Sequence, residues 1–291
     1  MSIRILYNGS LVENLPWPVT GQGGFFYGRR VMTTLLKIGN RLVDFQRHFE
    51  RMSHDAEQMG IGDLGSPDSL AAEILSLASV GSAEPRQKAR IIFFEDANQR
   101  LSRIVTVESI DDSVNAMTPL KLMTVTDRFA ARGGAIKTGH LGSRATQIHK
   151  LRGSGFDDIL WLNGDGELTE CAWANVFLIG RTGDLVEIAT PPESSGILPG
   201  ITRRRVMDLL TAARIPVTVR PITLDEIPRF DEAFVTSSIQ CLRPVAAIGR
   251  HQLHTERAKS VFTHIARLYS TWLSLENDYD HFEVKAPVQL M

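Results

Sequence analysis

The residues best suited to chemistry in this sequence are a glycine- and proline-rich loop, a glycine-flanked lysine and a carboxylate set among apolar residues. Gly196-Ile-Leu-Pro-Gly-Ile-Thr202 opens directly onto the helical run Arg203-Arg-Arg-Val-Met-Asp-Leu-Leu210. Free N–H groups and the positive dipole end of such a helix suit a phosphate, and Thr202 adds a hydroxyl. A second hydroxyl cluster, Thr236-Ser237-Ser238, follows an apolar strand and offers further hydrogen bonds. Lys137 lies in Arg132-Gly-Gly-Ala-Ile-Lys-Thr-Gly-His-Leu-Gly142. A buried or cation-flanked lysine loses its proton more easily, which frees the amine to attack a carbonyl and form a Schiff base. Glu170 sits between apolar stretches in Gly166-Glu-Leu-Thr-Glu-Cys-Ala-Trp-Ala-Asn-Val-Phe177, where an unpaired carboxylate is costly. Each feature also has an ordinary reading: a helix that begins after glycine, an exposed loop lysine, a cross-strand surface acid.

Periodicity supplies the elements that must position them. Phe45, Phe49, Met52, Ala56 and Met59 recur at helical spacing between Arg41 and Ile61, ahead of Gly60 as a left-handed stop. A second helix begins at Ser66 with Pro67 in its first turn, and Leu70, Ile74, Leu77 and Ala78 share one face. Ala89–Phe94, Arg103–Glu108 and Leu120–Val125 read as strands. Beyond them come short strands at Ile159–Asn163, Asn175–Ile179, Leu185–Ala189, Val217–Arg220, Ala233–Ser237 and Val245–Ile248. Helices are expected near Arg144–Arg152, over Thr202–Ala213 and from about Thr255 to Leu275. Interleaved without a strict βαβ repeat, these elements predict an α+β chain of two α/β domains with mixed sheets. The expected division is a small N-terminal domain over 1–118, a connecting strand and loop over 119–136, and a larger domain over 137–291.

Composition removes several function classes. With 43% hydrophobic and 22% charged residues among 291, the chain is ordinary globular material rather than a disordered one. Thirty-two basic against thirty-three acidic residues give no global field for nucleic acid or an anionic membrane. No apolar run is long enough to span a bilayer, and the N-terminus lacks a signal-peptide core. Cys171 and Cys241 cannot build a disulfide framework or a four-thiolate zinc site, which fits a reducing cytoplasmic location, and no metal is expected. Only seven of the basic residues are lysines, so each is a less routine surface filler.

Taken in order, Tyr27-Gly28, His48-x-x-Arg51-Met52, Lys137, Thr169-Glu170 with Asn175, Leu198-Pro-Gly-Ile-Thr202, and Thr236-Ser-Ser238 with Pro244-Val245 resemble the fold-type IV (class IV) family of pyridoxal-phosphate enzymes. That family includes branched-chain and D-amino-acid aminotransferases and aminodeoxychorismate lyases. The resemblance spans roughly residues 1–250. It implies pyridoxal 5'-phosphate as cofactor, bound in the larger domain, and a site between the domains. Lys137 would carry the cofactor in a Schiff base and move the α-proton. Glu170 would keep the pyridine nitrogen protonated, so that the ring draws electrons from the substrate. Ile201, Thr202, Ser237, Ser238 and Arg51 would hold the phosphate, with the arginine adding a charge-assisted contact.

On the substrate side the sequence departs from the family pattern. The usual Tyr-Gly-Asp-Gly reads Tyr27-Gly28-Arg29-Arg30, and Met32-Thr33-Thr34 follows, a threonine pair seen in some of the lyases. Thr138-Gly139-His140-Leu141 replaces the usual Asn-Tyr after the lysine, leaving His140 as a stand-in contact. Phe94-Glu-Asp-Ala-Asn-Gln-Arg100 stands where an arginine-glycine substrate loop is usual. Tyr27, Arg29, Arg30, Thr34 and Arg100 are therefore the substrate candidates. The resemblance implies amino transfer from a small amino acid to a 2-oxo acid by a homodimer. The alternatives are an aminodeoxychorismate lyase, which releases pyruvate on the route to 4-aminobenzoate and folate, and a pyridoxal-phosphate binder without turnover.

Overall fold

Alternating strands and two amphipathic helices build the first half of the chain, and a ring of strands the second, in the computed structural model. It describes residues 4–14, 29–80, 84–96, 100–110, 118–126, 136–138, 146–149, 151, 153–183, 185–255 and 260–275. They fall into two units by their contacts. The first comprises the described residues of Met1–Ser113 with those of Ile136–His140; the second, those of Val114–Ala135 and Leu141–Leu275.

In the first unit, strands β1 (Arg4–Tyr7), β2 (Ser10–Val12), β3 (Arg30–Ile38), β4 (Arg41–Leu42), β5 (Arg86–Glu95) and β6 (Leu101–Ser109) form one sheet in the order β2-β1-β6-β5-β3-β4. Every pairing in it is antiparallel. Helices α1 (Phe45–Gln58) and α2 (Pro67–Ser79) cover one face. Ser66 caps α2 by accepting from the Ser69 N–H, as its Ser-Pro start predicts. Strand alternation sends Val31, Leu35, Ala89, Ile91, Phe93, Val105 and Val107 into a core with Phe49, Met52, Ile74 and Leu77. The helix expected over Arg41–Ile61 is shorter: Arg41–Leu42 pairs with β3, and α1 starts only after Asp44. Gly60 has φ 62°, the left-handed turn that stops it.

In the second unit, β7 (Leu120–Thr126), β8 (Asp158–Leu162), β9 (Leu168–Cys171), β10 (Asn175–Thr182), β11 (Leu185–Thr190), β12 (Thr218–Val219), β13 (Glu232–Ser237), β14 (Cys241–Ile248) and β15 (His251–Gln252) make a mixed sheet. The pairs β7–β8, β7–β14 and β11–β12 are parallel. The path β10-β13-β14-β7-β8-β9 closes on itself where β9 meets β10, at Asn175 opposite Glu170. Leu122, Leu160, Val176, Leu178, Val235 and Val245 fill its core. Phe177 and Phe234 stack at 4.8 Å on the other face, and Phe262 of α4 (Val261–Leu273) packs on Phe234. Helix α3 (Ile201–Ala212) joins α4 through the Arg205 guanidinium, 4.4 Å above the Trp272 ring.

Helix α4 begins at Val261, not near Thr255, because Ser260 is its cap and the buried Glu232 carboxylate accepts from the Ser260 hydroxyl and the Val261 and Phe262 N–H groups. Ala258, counted on its sequence face, lies outside the described residues. Of the helix expected near Arg144–Arg152, residues 146–149 are helical. Among the described residues, no helix is long and apolar enough to cross a membrane, and no cluster of His, Cys, Asp or Glu is suited to a metal.

Candidate active site

Within the second unit, Glu170, Asn175 and Thr236 stand in a row across β9, β10 and β13, each directly opposite the next. Directly opposed residues point to the same face of a sheet, so the three side chains share one. All three are buried. The Leu198 N–H donates to Glu170 Oε2 at 2.9 Å, and the Asn175 amide donates to that oxygen and to the Leu198 carbonyl at 3.3 and 3.0 Å. Glu170 is thus no surface acid. It is a buried carboxylate clasped to the loop that leads into α3.

That loop is pinned at its other end as well. Glu167 accepts from Asn163 and from the Ser195 hydroxyl, and Asn163 also donates to the Ser195 carbonyl. Gly196 then turns the chain at φ 94°, a conformation that disfavours any side chain. Gly200 supplies the second close approach, because a Cβ there would lie 1.9 Å from Asn175 Oδ1. As the residue before α3, Gly200 has no side chain to cap the helix, so the first N–H groups, at Ile201 and Thr202, stay available to an acceptor from outside. Arg203 in that turn faces inward to Thr190 Oγ1 and the Pro191 carbonyl; burial lowers its pKa, opposed by the Glu193 charge.

Two observations make this half-site fit a phosphorylated pyridine. An anion seat with Thr202 at its edge begins three residues after Leu198, whose N–H Glu170 holds, at most ~10 Å along the chain. The Thr236 hydroxyl on the same face as Glu170 is buried without a partner among the described residues. Of the two serines after it, Ser237 accepts from the Gln240 N–H in the following turn, and Ser238 is half-buried. Sequence reading named Thr236 in the hydroxyl cluster and gave the phosphate to its two neighbours; its place opposite Asn175 comes from the strand pairing.

The first unit carries Lys137, which the sequence reading put at the head of the larger domain. Its contacts explain the difference: the Met32 N–H donates to the Lys137 carbonyl, the Lys137 N–H donates to Asp55 Oδ2, and Arg30 Nε donates to the Thr138 carbonyl. Arg51 of α1 stands by Thr33, donating to its hydroxyl at 3.1 Å, and Thr33 shares a 2.6 Å hydrogen bond with His48 Nδ1. His48 is buried, and burial first, then the Arg51 and Lys137 charges, hold its pKa well below 6.5. The imidazole therefore stays neutral beside Arg51.

Of the substrate candidates, Arg29 is committed elsewhere. Its Nε and Nη2 grip the Glu95 carboxylate, and Nη1 donates to the Met59 and Gly60 carbonyls. Arg30 is half-buried, which lowers its pKa, and it supports the Thr138 carbonyl. Thr34 points to the face of β3 opposite Thr33, away from His48 and Arg51. Arg100 is exposed in the β5–β6 turn, where its N–H donates to Asp96. Tyr27 and His140 lie outside the described residues. Sequence reading missed Asp55 and the buried lysine Lys37, whose pKa burial and then Arg4 lower, and it noted Thr33 only as one of a threonine pair.

A family model described as amino-transferase class IV matches residues 30–248. A probable branched-chain-amino-acid aminotransferase of Synechocystis sp. is 30% identical over 156 residues, covering 50% of each chain. One from Thermotoga maritima is 32% identical over 123 residues, 42% of this chain and 44% of its own. The matched region thus spans about half the length of these relatives. Among solved structures, a fold IV transaminase from Curtobacterium pusillum superposes with TM-score 0.81 at 18% identity, covering 94% of this chain and all of its own. A putative 4-amino-4-deoxychorismate lyase from Legionella pneumophila gives 0.74 at 20%, covering 85% and 92%. At these identities the likeness establishes the fold, which is the α+β fold-type IV architecture.

Proposed function

We propose that this chain, which belongs to the class IV aminotransferase family, transfers the amino group of a small amino acid to a 2-oxo acid with pyridoxal phosphate as its cofactor. Class IV aminotransferases use that cofactor. The observation that carries the reading is the Glu170 clasp, because it ties a buried carboxylate to Leu198, three residues before a helix N-terminus.

When bound, pyridoxal phosphate supplies an aldehyde for an amine and a ring that accepts electrons. The rest falls to the chain. Lys137 offers the amine that holds the cofactor and moves a proton at the substrate α-carbon. Glu170, kept in place by the Leu198 N–H and the Asn175 amide, would accept a hydrogen bond from the protonated ring nitrogen. Ile201 and Thr202 would donate to the phosphate from the first turn of α3, and Ser237 and Ser238 would add hydroxyls. Arg51 adds a charge that backbone donors lack, and Thr33 fixes the direction of its guanidinium. A homodimer is part of the proposal, as family sites are completed across a subunit interface.

The branched-chain relatives make branched-chain amino acids the first donors to try. The lyase reading leaned on the Thr33–Thr34 pair and on Thr169-Glu170-Cys171, and Thr33 is already engaged by His48 and Arg51. A single experiment separates the readings. The cofactor-loaded protein is mixed with one amino acid at a time, and its visible absorbance is followed. An aminotransferase loses the yellow band with at least one amino acid and regains it on addition of a 2-oxo acid. Pyruvate release from aminodeoxychorismate with no such half-reaction would establish the lyase, and silence in both assays a binder without turnover.

A further inference from the structure

The Ile136–Thr138 segment lies along the open edge of β3. In the sheet order, β3 pairs with β5 on one side, and on the other with β4 only at Lys37 and Ile38. At its unpaired start, the Met32 N–H donates to the Lys137 carbonyl at 2.9 Å and Arg30 Nε to the Thr138 carbonyl at 2.8 Å. Ile136 packs into the apolar core of the first unit. The lysine's own main-chain N–H is taken by a side chain of α1: it donates to Asp55 Oδ2 at 3.2 Å.

Asp55 is an unusual residue for that place. It is 3% exposed, on the buried stripe of α1 with His48 and Met52, and is separated from Lys137 by 82 positions in sequence. Aspartate is a poor helix former in a helix interior and expensive to bury, so the position needs a compensating partner. The structure provides it: burial raises the carboxyl pKa, while the Lys137 N–H, Arg51, His54 and the Lys137 charge pull it back. A row of His48, Arg51 and Asp55 on successive turns of α1 thus presents a neutral ring, a cation and an acceptor to β3 and to the lysine segment.

We propose that Asp55 is the positioning residue for Lys137: its carboxylate holds the lysine's main-chain N–H and so fixes where the side chain leaves the edge of β3. Met32 and Arg30 hold the carbonyls of Lys137 and Thr138, and the Thr138 N–H donates to the Ile136 carbonyl at 3.0 Å, which closes a tight turn around the lysine. Asp55 ties that turn to α1. Without it, the turn pivots on its bonds to β3, and the amine sweeps through a wider set of positions than a reaction at one carbon allows. Only the lysine's task depends on the function proposed above; the clasp does not.

The test uses the full chain as wild type, Asp55→Ala and Asp55→Asn. Amide hydrogen exchange of the peptide that includes residues 136–138 is measured by mass spectrometry without cofactor. Asp55→Ala should exchange about tenfold or more faster there, the factor that corresponds to losing a hydrogen bond to a charged acceptor. Asp55→Asn keeps a carbonyl acceptor of the same reach and should stay close to wild type. Should the alanine variant fail to fold, Asp55→Ser takes its place, since its shorter hydroxyl falls short of the amide, and it must exchange faster than Asp55→Asn. With pyridoxal phosphate added, borohydride should fix less label on Lys137 in Asp55→Ala at equal cofactor occupancy, and near wild-type label in Asp55→Asn. Wild-type exchange in Asp55→Ala, or equally fast exchange in the alanine and asparagine variants, overturns the proposal. A wild-type protein that takes no label overturns the cofactor reading and leaves the exchange result standing.

Discussion

Replacing Gly200 by alanine probes the Glu170 clasp with one carbon atom. Gly200 has φ −70° and ψ 131°, a conformation open to any residue, so the backbone itself tolerates the change. The added Cβ would lie 1.9 Å from Asn175 Oδ1 and 3.1 Å from its Cγ, against about 3.4 Å for ordinary contact. The amide must therefore move by roughly 1.5 Å, the difference between these distances, which breaks its bonds to Glu170 Oε2 and the Leu198 carbonyl. A neutral hydrogen bond contributes about 0.5–1.5 kcal/mol and one to a charged group about 1.5–3. The lower unfolded-state entropy of alanine returns about 0.4–1 kcal/mol. The net loss is then about 1–4 kcal/mol, centred on about 2.5 kcal/mol, or a fall in Tm of about 5–10 °C at that centre for a unit of this size. Thermal unfolding of the cofactor-free protein measures it. In an Asn175→Ala background the clash has no target, so the same glycine change should cost nothing there. An unchanged Tm for Gly200→Ala alone, or an undiminished loss in that background, would refute the clasp.

Arg51→Ala should weaken pyridoxal phosphate binding by about ten- to a hundredfold, the loss of a charge-assisted contact, as read by equilibrium titration; Thr33→Val should weaken it less, because the guanidinium loses only its orienting hydroxyl. His48 is held neutral in the folded chain, so between its unfolded pKa of about 6.5 and its lower folded one the unfolded chain binds more protons. Stability should accordingly fall as pH drops through 6.5, and His48→Gln should flatten that part of the profile in denaturant titrations at stepped pH; parallel wild-type and variant profiles would contradict this. Glu232→Ala removes three hydrogen bonds at the start of α4, and exchange of the 260–262 amides should accelerate by about tenfold or more.

Elements with a clear period were legible. The apolar stripe of α1, the Ser66-Pro67 start of α2 and most strands of the ring appear in the structure within a few residues of where periodicity puts them. β1 through β4 were not legible, because Arg30–Ile38 mixes cations, threonines and leucines, and only its pairing with β5 shows that Val31, Thr33 and Leu35 share a face. The start of α4 was misread for a related reason: its cap is completed by Glu232, 28 residues upstream, and no local signal carries that. Motif order marked Lys137, Glu170 and the α3 loop as candidates. What it left out were the residues that hold them. Asp55 shares the buried face of α1 at helical spacing from His48 and Met52, and a charged residue on an apolar stripe was the signal available. Arg203 and Arg205 look like solvated cations in a triplet, yet both are buried against partners far along the chain.

The most direct measurement of the central claim is peptide mapping after borohydride treatment of the cofactor-loaded protein. Seven lysines compete, and one of them, Lys37 on β3, is buried with its pKa lowered by burial and by Arg4, so a low-pKa amine alone does not single out Lys137. The anchored edge of β3 does. Mass spectrometry should find the reduced pyridoxyl label on the peptide that contains Lys137, and Lys137→Ala should lose both the label and the yellow colour. Label on the Lys37 peptide, or label that persists in Lys137→Ala, would contradict the account.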